Sequence, residues 1–335
     1  MALLLTARIS TWHLCRWMGR SSPVEQLPLV KGRRTASSQI SAMIVAEDWS
    51  VKLPLRKVDG LDYKKHHCVH STGMRRLGVD DGRLFELNGE PWLIFAAVAR
   101  EGEPDFCCHR MMLCPLELPE SDTGSVRCLR KILVQFPYAD KVSNTERAHG
   151  RTASVHQKNW SPFVVAGKLY LVFTIEPVRV IRVDPATGEC EQVSVAPTQA
   201  FQVFRGDHRA SIERHSTFGV HGGSPYIPLP PGMGGGAELL GIGRVARGNT
   251  RYALFFHTVF QVNNTEAFAI SRVSPLFCFA SVSPPHAGLC ETIQFAGGLV
   301  VRGDTLVVTY GTNDCEAKVA FVPMRRVQEL LLPAQ

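Results

Sequence analysis

This 335-residue chain has few of the features that mark membrane, metal-binding or helical proteins. Its start has only Ala2 to Leu5 as an uninterrupted apolar run, far short of the roughly 20 residues that span a bilayer. Before the last dozen residues, no long stretch repeats apolar residues at the helical period, which leaves Met324 to Leu332 as the best helix candidate. We therefore expect no membrane span and very little helix.

The chain has ten cysteines but lacks the C-x-x-C spacing of many metal and redox sites. We predict that most of them are free, buried thiols in a reducing compartment. His66, His67, Cys68 and His70 lie close together, but a second half at metal-ligand spacing is missing, so a surface loop is the preferred interpretation. We predict no metal site.

Acidic residues are scarce at the start of the chain, where Glu25 is the only acid among the first 46 residues. Much of the formal net charge of +7 comes from this segment, and the remaining chain is close to balanced. A Lys/Arg tract interleaved with aromatics is lacking, so nucleic-acid binding is not expected. The Arg- and Ser-rich start resembles an organelle transit peptide, and a disordered extension fits equally well. We predict that residues 1–44 lie outside a single domain of residues 45–335, and an intracellular location is favoured.

Short apolar strands joined by Gly, Pro and Ser turns make up most of the chain. With 45% apolar and 20% charged residues, it can bury a sizeable core. Val79 to Val98 predicts a hairpin with its turn at Asn88-Gly89. Three later stretches repeat this pattern: Trp160 to Ile175, Ser224 to Val245, and Phe295 to Tyr310.

The spacing of these hairpins predicts a radial array of sheets. Their turn glycines, at positions 89, 167, 234–236 and 303, lie roughly 65 to 80 residues apart, which leaves room for about five blades. We therefore predict an all-β fold, a five-bladed β-propeller with a short C-terminal helix. Because a propeller gathers the starts of its innermost strands around one axial funnel, Asp81, Lys158, Ser224 and Asp314 are expected to converge.

Four short strings at predicted strand ends carry the chemistry. They are D-D-G-R at 80–83, Q-K-N-W-S-P-F at 157–163, H-G-G-S-P at 221–225 and Y-G-T-N-D at 310–314. In this order they resemble the turns of glycoside hydrolase family 130, five-bladed propellers that are mostly β-mannoside phosphorylases, and of related mannosyltransferases. The resemblance covers residues 79 to about 322 and implies the same fold and a mannose-type substrate.

The resemblance also implies roles for individual residues. Asp81 matches the general acid of the family, Lys158 a cation of the phosphate-binding region, and Asp314 an acid that holds sugar hydroxyls. The further candidates are Arg83, Asn159, Trp160 and Ser224 for the substrate, and Arg179 and Arg244 for phosphate. The expected partner is an oligosaccharide or sugar phosphate, with inorganic phosphate or a sugar nucleotide as co-substrate and no cofactor.

These residue types suit glycosidic chemistry. A glycosidic oxygen leaves poorly unless it is protonated, so a carboxylic acid such as Asp81 must approach it, directly or through a substrate hydroxyl. In inverting phosphorolysis the nucleophile is phosphate, so cations take the place of a second carboxylate.

Two departures from the family pattern keep other interpretations open. Gly82 replaces the usual proline beside the acid, and Arg244 stands where the family often has a histidine. A propeller that binds carbohydrate or acts as a scaffold without catalysis is therefore the alternative function. For single residues, Asp81 and Arg83 fit a turn cap with a local ion pair, and Trp160 fits a core position.

Overall fold

The structure is a computed structural model in which most of the described residues lie in β-strands and only one short helix occurs among them. It describes residues 2–8, 35–45, 51–61, 75–99, 108–121, 123–135, 159–198, 200–201, 204, 219–233, 238–247, 251–263, 265–279, 293–312 and 316–334. The strands form the blades of a five-bladed β-propeller, which confirms the predicted fold class.

The strands follow one another with few other elements between them. In chain order they are β1 (Ala2–Arg8), β2 (Thr35–Val45), β3 (Val51–Lys57), β4 (Arg75–Leu87), β5 (Glu90–Ala99), β6 (Cys108–Glu117), β7 (Arg127–Cys128), β8 (Ile132–Leu133), β9 (Ser161–Val165), β10 (Lys168–Ile175), β11 (Val178–Val183), β12 (Cys190–Ala196), β13 (Gly219–Gly222), β14 (Ile227–Pro228), β15 (Glu238–Arg247), β16 (Arg251–Gln261), β17 (Phe268–Val273), β18 (Gln294–Arg302), β19 (Thr305–Thr312), β20 (Glu316–Pro323) and β21 (Leu332–Pro333). Within the described part of the chain the longest helix is α1 (Met324–Leu330), as predicted, and no helix there is long and apolar enough to cross a membrane.

The strands form four hydrogen-bonded sheets, of which the largest contains β1 to β8. We number the blades along the chain and divide this largest sheet at the short parallel pairing of β2 with β4: blade 1 contains β1 to β3, blade 2 β4 to β8, blade 3 β9 to β12, blade 4 β13 to β17, and blade 5 β18 to β20. All strand pairs within a blade are antiparallel; β7 and β8 both pair with β6, and β13 and β14 both pair with β15. Strand β21 leaves blade 5 and pairs with β17 at the outer edge of blade 4. The four predicted hairpins are β4–β5, β9–β10, β14–β15 and β18–β19, all confirmed.

Strands from the start of the chain pair with strands of the first two blades, while the boundary between residues 1–44 and 45–335 stays a prediction. Ala2–Arg8 pairs with Thr35–Val45, and β2 then pairs antiparallel with β3 and, through its first residues, parallel with β4 of blade 2. The side chains of Ile40 and Ile44 are buried. The Arg- and Ser-rich composition had concealed the alternation of apolar residues at 40, 42 and 44, which marks one buried face of a strand.

Each pair of neighbouring blades from blade 1 to blade 5 encloses its own apolar cluster. Strand β5 shows how one strand supplies two of them. Leu93 and Phe95 face blade 1, whereas Trp92 and Ile94 face blade 3, because successive side chains of a strand point to opposite sides of the sheet. A strand that is buried on both faces appears in the sequence as a nearly continuous apolar run, and residues 92–97 of β5 are an example.

The cysteines differ from the expectation of mostly free thiols. Cys114 and Cys128 form a disulfide, with their Cα atoms 5.7 Å apart, and Cys278 is also disulfide-bonded. Cys190 is free and half-buried, and burial raises the pKa of its thiol to about 11. The prediction was wrong at three of these positions because cysteine spacing along a sheet-rich chain does not reveal which strands become neighbours.

Blades 3 and 4 are also joined by an ion-pair network around Glu266, in the turn before β17. Its carboxylate accepts hydrogen bonds from Lys168 Nζ (2.9 Å), Tyr170 Oη (3.0 Å) and Arg182 Nη1 (2.6 Å). The bonds from the two cations lower the pKa of Glu266 to about 2. Burial and the bond to Glu266 raise the pKa of Tyr170 to about 12.

We predict that Glu266→Gln lowers the melting temperature at pH 7 by about 2 °C, since three donors lose their charged acceptor. The ordinary pKa of this carboxyl is near 4.5, so the difference from wild type should persist above pH 4.5 and shrink as the pH falls towards 2. Calorimetry over this pH range measures it. Glu191→Gln is the control, because Glu191 contacts Arg182 within blade 3 alone. If both substitutions lowered the melting temperature equally, the ion pairs of Glu266 would not stabilise the contact between blades 3 and 4.

Candidate active site

The acidic turn at 80–83 forms a β-bulge in the innermost strand of blade 2. Asp80 pairs with Ala96 and Arg83 with Ile94, so two residues of β4, Asp81 and Gly82, lie opposite one residue of β5. Asp81 has the left-handed φ of 54°, a conformation that aspartate tolerates better than most residues. The bulge redirects the strand, and the Asp81 side chain is half-buried, with its Oδ2 atom inaccessible to solvent.

Arg83 lies where the inner strands of several blades meet, and its side chain is fully buried. Its Nε donates to the carbonyl of Gly223 at the end of β13 in blade 4. Nη1 donates to the Asp81 carbonyl (2.6 Å), and Nη2 donates to Asn159 Oδ1 (3.2 Å), just before β9 of blade 3. The guanidinium carbon lies 5.0 Å from the ring centroid of Phe295, in β18 of blade 5. We call these five residues the Arg83 cluster.

A second buried cation shares the aromatic ring of this cluster. The guanidinium carbon of Arg244, in β15, lies 4.9 Å from the Phe295 centroid and 5.1 Å from that of Tyr252. Its Nη1 donates to the carbonyl of Gly222 (3.0 Å), and its side chain is almost fully buried. The electron-rich face of an aromatic ring attracts cations, so Phe295 helps to hold two like charges in one region.

The electrostatics of the cluster favour an anionic neighbour. Burial lowers the pKa of Arg83 to about 10; Asp81 opposes this shift, and Arg244 adds to it. Arg83 therefore stays protonated at neutral pH. Two buried guanidinium groups with one carboxylate near Arg83 give a region of net positive charge where the inner strands meet.

Of the four residues expected to converge, Asp81 lies in the Arg83 cluster, the Ser224 side chain does not, and Lys158 and Asp314 lie outside the described residues. Other candidate site residues do meet here. Asp81, Arg83 and Asn159 belong to the cluster, and Arg244 lies beside it. Ser224 is close in sequence to Gly223, but its buried Oγ donates to the Pro225 carbonyl and accepts from the Ile242 amide, so it fastens β14 to β15.

Other predicted residues lie elsewhere or outside the described part. Trp160 is almost fully buried in the cluster between blades 2 and 3, where it packs on Phe173; this favours the core interpretation. Arg179 is exposed on β11, two strands outward from β9. Lys158 and Asp314 lie outside the described residues, so their roles stay predictions. The same holds for the histidine cluster at 66–70, and no metal-binding group occurs among the described residues.

Sequence reasoning missed Phe295 and the Gly223 carbonyl. Phe295 lies at the start of β18, as its sequence pattern predicts. Aromatic residues are common in strands, so the sequence does not distinguish this one as a partner for cations. Gly223 lies within the string H-G-G-S-P, from which Ser224 was chosen. A Cβ atom at Gly223 would lie 2.6 Å from the Ile242 carbonyl oxygen, so close backbone approach explains the glycine.

The fold and cluster define a five-bladed propeller with a carboxylate and buried cations where its inner strands meet. No protein-family model and no curated sequence matches the chain. Among solved structures it is similar to the β-1,2-mannobiose phosphorylase of Listeria innocua in complex with β-1,2-mannobiose. The two are 13% identical over 88% of this chain and 69% of that one, with a TM-score of 0.52.

Two further structures resemble the chain more loosely. A glycosyl hydrolase from Bacteroides ovatus is 15% identical over 90% of this chain and 79% of its own, with a TM-score of 0.48. A family 130 glycoside hydrolase that targets β-1,2-mannosidic linkages in Candida mannan is 14% identical, with coverages of 87% and 76% and a TM-score of 0.45. The predicted likeness to family 130 propellers is confirmed at the level of the fold.

We predict that Arg83→Lys lowers the free energy of unfolding by about 3 kcal/mol, because an ammonium group replaces a buried, planar donor that joins three blades. Urea unfolding followed by tryptophan fluorescence measures this change. Arg179→Lys, at an exposed position, should change stability by less than about 0.5 kcal/mol. Equal stabilities of the two variants would show that the Arg83 contacts do not hold the blades together.

Proposed function

We propose that the protein is a carbohydrate-active enzyme that cleaves or forms β-mannosidic bonds by inverting phosphorolysis. The observation that carries the proposal is the position of Asp81: its carboxyl group lies on a bulge of β4, close to the buried guanidinium of Arg83, which in turn lies near that of Arg244. The shared fold of the Listeria innocua phosphorylase, which binds β-1,2-mannobiose, supports the choice of substrate.

In this mechanism Asp81 donates its proton to the glycosidic oxygen, directly or through a hydroxyl of the sugar. A phosphate oxygen attacks the anomeric carbon from the opposite face, and the bond to the leaving sugar breaks. The products are mannose 1-phosphate with inverted configuration and the shortened sugar. Hydrogen phosphate loses its proton to the solvent as the phosphate ester forms, and Asp81 takes up one proton from the solvent, so the protein ends in its initial state.

The structure changes the proposed role of Arg83. Its side chain is fully buried and already donates to Gly223, Asp81 and Asn159, so we assign it to positioning the Asp81 backbone. Phosphate binding is proposed for Lys158 and Arg244, and contact with sugar hydroxyls for Asp314. Arg179 is a weaker candidate because it lies on the third strand of blade 3.

A second candidate function is sugar binding without catalysis. The observation in its favour is that both axial cations donate to backbone carbonyls, Arg83 to Gly223 and Arg244 to Gly222, which reduces their capacity to hold phosphate. Transfer from a nucleotide-activated mannose is the other enzymatic alternative, in which a diphosphate would meet the same positive region.

We predict that Asp81→Asn lowers the rate of mannose 1-phosphate release from β-1,2-mannobiose and phosphate by at least about 100-fold, since the amide cannot protonate the leaving oxygen. Enzymatic detection of mannose 1-phosphate measures the rate. Asp304→Asn, at an exposed turn of blade 5, should behave as wild type.

The reverse reaction, with mannose 1-phosphate or a nucleotide-activated mannose as donor, distinguishes a phosphorylase from a transferase. Sugar binding by calorimetry without turnover in either direction would favour the non-catalytic propeller. Equal activity of wild type and Asp81→Asn would reject the proposed acid.

A further inference from the structure

The bulge that carries Asp81 packs against a side chain from the first blade. Gly82 is buried, and a Cβ atom at this position would lie 2.8 Å from Ile40 Cδ1 and 3.3 Å from Leu93 Cδ1. Because real Cβ atoms keep more distance, the Ile40 side chain occupies the space that any larger residue at position 82 would need. Gly82 is thus in direct contact with β2, and a methyl group at this position would require the Cδ1 end of the Ile40 side chain to move.

Ile40 itself is held firmly. Its side chain is 1% exposed, and it lies in the cluster between blades 1 and 2 with Leu93 and Phe95. Its carbonyl accepts a hydrogen bond from the Val58 amide (3.0 Å), outside the regular strand pairing. An isoleucine fixed by both its backbone and its side chain is a rigid surface for the bulge.

Gly82 also approaches the opposite side of the axis. A Cβ atom at Gly297, in β18 of blade 5, would lie 3.8 Å from the Gly82 carbonyl oxygen. Gly82 therefore lies between the Ile40 side chain of blade 1 and Gly297 of blade 5. Because Arg83 Nη1 binds the Asp81 carbonyl, a shift at Gly82 moves both neighbours in the cluster.

We propose that Ile40, in strand β2, is a positioning residue of the candidate site: its contact with Gly82 sets the place of the Asp81 bulge and thereby the geometry of the Arg83 cluster. Strand β2 is then a structural part of the site and not an appendage to it. The effect of this contact on catalysis rests on the proposed function, whereas its effect on the geometry does not.

The test is a size exchange between the two residues. Gly82→Ala adds the clashing methyl group, and Ile40→Val removes the Cδ1 atom that it would meet. The readout is the Nε–H resonance of Arg83 in nitrogen-proton NMR spectra, assigned by its loss in Arg83→Lys, together with its hydrogen-exchange rate. We expect Gly82→Ala to shift this resonance and speed its exchange at least tenfold, and the double variant to return both towards wild type.

Ile44→Val is the matched control, since it deletes the same methyl group from a buried isoleucine on the same face of β2. It should not restore Gly82→Ala. If Gly82→Ala does not fold, the two valine variants are compared alone, and faster exchange of the Arg83 Nε–H is expected in Ile40→Val only. The proposal is overturned if Gly82→Ala leaves the resonance unchanged, if Ile40→Val fails to restore it, or if Ile44→Val restores it equally.

The mannose 1-phosphate assay separates this inference from the proposed function. We expect the rate to fall at least about tenfold in Gly82→Ala and to recover in the double variant to within about threefold of wild type, with the change in kcat and not in KM. Absence of turnover in wild type, with the NMR pattern as expected, would reject the enzyme and retain Ile40 as a positioning residue. Turnover that is unchanged by Gly82→Ala would reject the catalytic role of Ile40.

Discussion

The buried guanidinium of Arg83 imposes the main constraint on this propeller. A charged group without water must find its acceptors in the protein, and here they come from the Asp81 and Gly223 carbonyls and the Asn159 amide oxygen. Those groups belong to three blades, and Phe295 adds a fourth. The requirement to satisfy one cation therefore brings the inner strands together, and the same arrangement brings the Asp81 carboxyl beside positive charge. Stability and the proposed chemistry share one set of contacts.

Much of the architecture was predictable because propellers repeat local patterns. The hairpins at Asn88-Gly89 and Gly167 and the convergence of Asp81 with Asn159 follow from strand runs, turn residues and their spacing. Contacts between distant backbones were not predictable. A carbonyl such as that of Gly223 carries no signature in its side chain, and the burial of Ser224 and Trp160 depends on the strands that cover them. The sequence indicates which residues lie near strand starts, but it does not indicate whether a side chain points to the Arg83 cluster, as Asp81 does, or into the core, as Trp160 does.

The first blade contains strands from the basic, acid-poor start of the chain. β1 pairs with β2, and the Ile40 side chain of β2 contacts the acidic bulge. In the sequence, the alternation of apolar residues at positions 40, 42 and 44 is the feature that indicates a buried strand here. Gly82, which stands where the family usually has proline, contacts the Ile40 side chain. Substitutions at the two positions are therefore coupled and should be interpreted together.

The wide separation of the cluster along the chain has a consequence for biosynthesis. Arg83 is translated long before Gly223 and Phe295, which supply an acceptor and an aromatic face for its side chain. During synthesis on the ribosome the guanidinium must stay hydrated until the last two blades emerge, because contacts between distant segments form only when both segments exist. The Arg83 cluster can therefore be completed only after the first strand of blade 5 has been synthesised, and a prematurely terminated polypeptide that lacks blade 5 has no complete cluster.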